Sequence, residues 1–163
     1  MNMYRVSFFG HRRIENLSAI ADKLDDIISD LLRTKEYVEF FVGRYGEFDQ
    51  SAASAIRRMR NSIGHDNSSM ILVLPYMTAE FANNEKYFYD YYDEVEICPE
   101  SANAHFKAAI GIRNKAVAER SDLVICYTTR KSGGAYQAVK YAKSLNKDII
   151  NIAEPVNGTE KIF

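Results

Sequence analysis

Short apolar runs of strand length recur along the chain, and amphipathic stretches separate them. Tyr4 to Phe9, Glu36 to Val42, Met70 to Leu74, Leu123 to Tyr127 and Asp148 to Ile152 read as strands, with a further short edge strand near Val95 to Cys98. Leu123 to Tyr127 is apolar throughout, as a parallel strand buried on both faces requires. Between the runs the apolar period lengthens to that of a helix. Leu17, Ile20, Leu24, Ile27, Ile28 and Leu31 form one stripe, with Asp22, Asp25 and Asp26 left to water. Ala52, Ala53, Ile56 and Met59 form a second. Phe106, Ala109, Ile110, Ala116 and Val117 mark a helix from Asn103 to Arg120, and Ala135, Ala138, Val139 and Ala142 mark the last. Ala79 to Tyr91, crowded with aromatics, reads as one more helix. Asn16 or Ser18 caps the first helix and Asp49 the second, while Asn146 ends the last in a left-handed conformation.

Strand and helix alternate throughout. That pattern predicts an α/β fold: a three-layer sandwich with a mostly parallel sheet of five to six strands and helices on both faces. In such sheets ligands sit beyond the carboxyl ends of the strands, where the strand order reverses. If the first strand and the Leu123 strand are central neighbours, the crevice opens between them. Glycine-bearing loops then gather at that edge: Gly10-His11-Arg12-Arg13, Gly43-Arg44-Tyr45-Gly46-Glu47-Phe48-Asp49 and Ser132-Gly133-Gly134. Strand, glycine turn and helix together aim backbone N–H groups and a helix dipole at an anion, and glycine lets the ligand approach. The plainer alternative is that these glycines only make tight turns.

Composition narrows the field. The 163 residues predict one domain spanning 1–163, and 47% apolar residues suffice for a core. A net charge of −1 disfavours a polyanion partner. Arg57, Arg58 and Arg60 are the only basic cluster that hints at nucleic acid. Two cysteines, Cys98 and Cys126, form no CxxC pair, which fits a reducing, cytoplasmic setting without a disulfide framework or metal knuckle. Met1 to Arg5 runs straight into a strand, so no leader is expected, and no apolar run has the length of a membrane span.

Each candidate residue carries two readings. Arg12 and Arg13 suit a phosphate clamp or a solvated loop. His11 suits a ligand donor or a structural bond to backbone. Arg44 adds positive charge to the edge or sits on the surface. Glu47 and Asp49 are the candidates for acid–base work; Glu47 alternatively holds ribose hydroxyls, and Asp49 alternatively only caps its helix. Tyr136 stacks on a base or packs on the sheet. Arg113 and Asn114 reach the crevice or lie on an exposed helix face. The aromatics from Phe81 to Tyr92 are helix packing, a surface for a homodimer or higher homo-oligomer, or a wall for adenine.

Phe8-Phe9-Gly10-His11-Arg12, the Gly43 to Asp49 loop, Arg113-Asn114, and Ser121 to Ile125 with Ser132-Gly133-Gly134-Ala135-Tyr136-Gln137-Ala138 resemble the SLOG superfamily. The closest likeness is to its small, single-domain YpsA-like branch of bacteria and phages. The superfamily also holds the DNA-processing protein DprA and the LOG phosphoribohydrolases. The resemblance covers Tyr4 to about Ala153. It implies a Rossmann-like fold that binds a nucleotide or nucleotide-derived, ADP-ribose-like ligand as a sensor or sequestering module, with no further cofactor. The implied ligand-binding set is Gly10, His11, Arg12, Arg44, Gly46, Arg113, Asn114, Ser132, Gly133, Gly134, Ala135 and Tyr136. The LOG enzymes carry Pro-Gly-Gly-x-Gly-Thr-x-x-Glu with a catalytic Glu, and this chain has Lys140 at that place. A lysine cannot serve as a carboxylate, so a binding module leads. The alternatives are nucleotide N-glycosidic hydrolysis through Glu47 or Asp49, and DprA-like binding of single-stranded DNA. A dinucleotide-dependent dehydrogenase is disfavoured, because the first turn lacks GxGxxG.

Overall fold

The computed structural model describes residues 2–153. Six strands form one sheet in the order β4-β3-β2-β1-β5-β6. They are β1 (Met3–Gly10), β2 (Tyr37–Val42), β3 (Ser68–Leu74), β4 (Glu94–Ile97), β5 (Leu123–Tyr127) and β6 (Asp148–Asn151). Every pairing is parallel. The helices are α1 (Leu17–Thr34), α2 (Glu47–Ile63), α3 (Ala79–Asn83), α4 (Glu85–Tyr91), α5 (Phe106–Arg120) and α6 (Gly134–Ser144). β1 and β5 are central neighbours, in register from Val6 opposite Leu123 to Gly10 opposite Tyr127. The chain winds outward from β1 to β4, returns through α5, and winds the other way. The order therefore reverses between β1 and β5, as the alternation predicts.

Strand pleat divides the core. Phe8, Phe40 and Met70 point into one apolar cluster with Leu24, Ile28, Phe48 and Ile56 of α1 and α2 and Phe81 and Phe88 of α3 and α4. Their successors Phe9, Phe41 and Ile71 point into the other, with Val117 of α5 and Val139 and Ala142 of α6. Burying each Phe ring stabilises the fold by roughly 1.5–3 kcal/mol, so both layers are held firmly. The sandwich has α1 to α4 on one face and α5 and α6 on the other.

Local details depart from the pattern in places. The aromatic segment is two helices, because Asn84 leaves helical geometry at φ −140°, ψ 35°. α5 starts at Phe106 rather than Asn103; the preceding residues make a turn in which Ala104 N–H donates to the Ser101 carbonyl at 3.0 Å. Asn16 occupies the α1 cap position, but in a left-handed conformation with no side-chain cap bond. Asp49 does not cap α2. Gly46 holds that position, at φ 102°, and Asp49 lies inside the first turn. Asn146 is left-handed as expected, at φ 61°. Among the described residues no helix is long and apolar enough to cross a membrane.

Candidate functional site

The carboxyl ends of β1, β2, β3 and β5 open into a cleft of about 550 Å³, walled by α5 and α6. That volume lies within the range of small-molecule sites. Its lining follows the sheet order. Pro75 and Tyr76 leave β3, Gly43 to Tyr45 leave β2, Gly10 to Arg12 leave β1, and Arg130 follows β5. Ile110, Arg113 and Asn114 come from α5, and Gly134 and Ala135 from α6. Four neighbouring strand ends give a span of about 14 Å along the sheet edge.

At the β5 end the lining is positive. Gly133, at φ 92°, turns the chain into α6 without a side-chain cap. The amides of Gly134 and Ala135 begin the helix and have no intrahelical acceptor. Arg12 and Arg130 are exposed, and neither forms an ion pair or side-chain hydrogen bond with a described residue. Uncapped amides, a helix dipole and two guanidinium groups favour a phosphate here.

The floor is tightly fitted. A Cβ on Gly10 would meet the Phe48 ring at 2.3 Å, so this glycine lets α2 close against β1. A Cβ on Gly43 would meet Asp49 Oδ2 at 2.7 Å. His11 is buried, and its Nε2 accepts from Thr129 N–H at 3.0 Å. Nε2 is therefore unprotonated, and the bond ties the β1 and β5 loops together. Burial, with Arg130 nearby, pushes the His11 pKa down and keeps the ring neutral. The structural bond to backbone expected for His11 is present, and the residue also lines the cleft.

Arg113 does not lie on an exposed face. It is 6% exposed, with Nε donating to the Val73 carbonyl at 2.8 Å and Nη2 to the Val42 carbonyl at 3.1 Å. Nη1 donates to Asn114 Oδ1 at 2.9 Å. Its charge thus sits at the ends of β2 and β3, opposite Asp49. Asp49 is half-buried and lines the cleft, with protein crowding its carboxyl group. Burial raises the Asp49 pKa to about 7, although Arg113 and Arg12 pull it the other way. The residue expected to be a cap is instead a titratable group in the cleft.

Other candidates fall outside the lining. Glu47 holds the loops together: its Oε1 accepts from Ile14 N–H at 3.1 Å, and its own N–H donates to the Arg12 carbonyl at 2.7 Å. Gly46, Ser132, Gly133 and Tyr136 flank the cleft without lining it. Arg44 lines it, but its guanidinium donates to Glu80 at 3.3 Å and to Tyr92 Oη at 3.2 Å, over the Phe88 ring. The segment Phe81 to Tyr92 forms no wall of the cleft; Phe81, Phe88 and Tyr92 are buried in the core. Tyr45 and Tyr76 supply the aromatic lining instead, with Ile110. Arg130 and Tyr76 escape a reading of motifs because single loop residues have no period. Their one signal is position, immediately beyond or facing a strand end. The basic cluster on α2 is already engaged: Arg58 pairs with Asp25, Arg60 with Asp93, and Arg57 lies on the Tyr91 ring.

No protein-family model and no curated protein matches the chain. Solved structures share its fold. DNA processing protein A from Streptococcus pneumoniae superposes with a TM-score of 0.65 at 18% identity, over 94% of this chain and 51% of that one. The Helicobacter pylori counterpart, described for its single-stranded DNA binding mode, gives 0.64 at 15% identity over 96% of this chain and 68% of its own. A molybdenum cofactor carrier protein from Chlamydomonas reinhardtii gives 0.60 at 14% identity over 94% and 80%. The chain thus spans about half the length of the Streptococcus protein.

Proposed function

We propose that the chain is a binding module of the SLOG superfamily, close to its YpsA-like branch, and that its cleft holds a phosphorylated nucleotide or an ADP-ribose-like derivative. The observation that carries this reading is the β5 end of the cleft. Uncapped amides at the start of α6 face the same hollow as Arg12 and Arg130, neither of which has an anionic partner among the described residues. Asp49, Arg113 and the aromatic pair Tyr45 and Tyr76 continue that hollow across the sheet edge. A sensor or a sequestering protein needs only this. Lys140, on the exposed face of α6, supplies no carboxylate for hydrolysis.

The place of Asp49 in the cleft lining favours a second reading. Burial pushes its carboxyl pKa up to about 7, where it can both donate and accept a proton, so cleavage of the ligand's N-glycosidic bond is the alternative. DNA binding fits less well, because the arginines of α2 are committed to partners within the fold.

Thermal-shift titration with AMP, ADP, NAD and ADP-ribose, followed by mass analysis, tests both readings. A ligand at a hundred times its dissociation constant stabilises the fold by about 2.7 kcal/mol, a visible shift. A shift that Arg130→Ala weakens about tenfold in affinity, with the ligand recovered intact, is the expected result. Free base in the mixture makes the protein a hydrolase. No shift with any of these ligands overturns the nucleotide reading.

A further inference from the structure

The cleft has a polarity along the sheet edge, and Asp49 stands at its middle. From the β3 end to the β5 end come Tyr76, then Tyr45 with Gly43, then Gly10 with Arg12, then Arg130 and the start of α6. Asp49 packs its carboxylate on Gly43, and its neighbour Phe48 packs on Gly10. Tyr45 and Tyr76 lie to one side of the carboxylate, with Arg44 there already bonded to Glu80 and Tyr92 and Arg113 buried beneath, and Arg12 and Arg130, unpaired among the described residues, lie to the other. No side-chain or backbone donor within the described residues bonds to the Asp49 carboxylate, while Glu47, the other acidic candidate, is spent on Ile14 N–H. A carboxylate at the cleft surface with no protein donor is open to donors that a ligand brings. An ionised carboxylate only accepts, so whatever binds it must bring donors.

We propose that Asp49 reads the ribose of the ligand: its carboxylate accepts hydrogen bonds from the 2′,3′-diol of a ribonucleoside phosphate lying with its phosphate on α6, Arg12 and Arg130 and its base against Tyr45, Tyr76 and Ile110. This rests on the nucleotide reading above and adds the sugar and the direction of the ligand. A phosphate, a diol and a planar base occur in that order in a nucleotide, as do cations, an acceptor and aromatic rings in the cleft. Arg113, fixed to the Val42 and Val73 carbonyls, is a charge that favours the ionised form of the acceptor.

Protonation then tunes the selection. Among the described residues, the charged and titratable groups that share the cleft with Asp49 are Arg113 on α5, Arg12 and His11 on the loop after β1, Arg44 and Tyr45 after β2, Tyr76 after β3 and Arg130 after β5. His11 is held neutral, so Asp49 is the group that changes charge near pH 7. Hydrogen bonds from the diol favour the ionised form, so preference for ribose weakens as pH falls below about 7.

The test is calorimetric titration of the full chain with AMP, GMP, CMP and UMP and with their 2′,3′-dideoxy counterparts, at pH 8 and pH 6. The phosphate ionises alike in each pair, so the ratio within a pair isolates the diol. At pH 8 the best-bound ribonucleotide is expected to bind at least about tenfold more tightly than its dideoxy form, as hydrogen bonds to a charged acceptor require. The ratio narrows at pH 6 and collapses in Asp49→Asn. Binding of both members of the pair within twofold at pH 8 overturns the role of Asp49 and leaves the nucleotide reading intact. Equal preference for ribose in wild type and a folded Asp49→Asn overturns it too. If Asp49→Asn does not fold, the wild-type ratio and its pH dependence decide. No binding of any of the eight compounds overturns the nucleotide reading itself.

Discussion

Asp49 shows how a tertiary environment remakes a residue. Its local sequence, after a glycine loop and before a helical stripe, is that of a cap. Folding puts it inside the first turn of α2, half-buried, with Arg113 arriving from a helix more than sixty positions along the chain. No spacing rule along the chain foresees that approach. The energetic sign follows from the pKa. The unfolded carboxyl ionises near 4 and the folded one at about 7. The folded state therefore binds more protons between those values, and stability falls as pH rises from about 4 to 7. The cost is fully present above pH 7 and is of order 3–4 kcal/mol by linkage. Asp49→Asn removes it. Urea unfolding at pH 5 and pH 8 is expected to show the variant gaining several kcal/mol over wild type at pH 8 and about a third as much at pH 5. An equal change at both values contradicts a titrating Asp49. A stabilising loss at this position is what a site kept for binding predicts.

At the scale of elements, Gly10 links β1 to α2. A Cβ there overlaps the Phe48 ring, so Gly10→Ala must push α2 away from the strand that builds the cleft floor. The expected loss is about 1–3 kcal/mol, read from the denaturant midpoint. Phe48→Ala makes room, so the double variant is expected to lose less than the sum of the two single changes. Additive losses would show that the contact is not the reason for the glycine. The same element scale marks what the sequence made legible. Apolar runs such as Met70 to Leu74 and stripes such as Leu17 to Leu31 place strands and helices, because burial imposes their periods. The break at Asn84 carries no such mark: the aromatic period continues across it, and only the packing of Phe81 and Phe88 into one core reveals two helices. Within the site, Gly134, Arg12, Arg113 and Asn114 were legible as parts of recurring blocks. Arg130 and Tyr76 were not, because they matter only through where the strands end; Tyr45 lay within a recognised block and Ile110 within a helical stripe, neither marked there as lining.

For the whole molecule, the parallel order with its reversal between β1 and β5 decides where the cleft sits. Every loop at the carboxyl edge from β3 to β5 contributes to one cleft, and the two helical layers meet across it through Asp49 of α2 and Arg113 of α5. The fold shared with DNA processing protein A and the molybdenum cofactor carrier protein accommodates different ligands, so the side chains of this cleft carry the assignment. The most direct measurement is a two-dimensional amide NMR titration of the isotope-labelled chain with AMP and ADP-ribose. The account predicts saturable shifts that are largest at Gly134 and Ala135, with further shifts at Gly43 and Asp49. Saturable shifts confined to the α2 and α4 surface around Arg57 and Tyr91, or no shifts with either compound, would contradict a phosphate-binding cleft between β1 and β5.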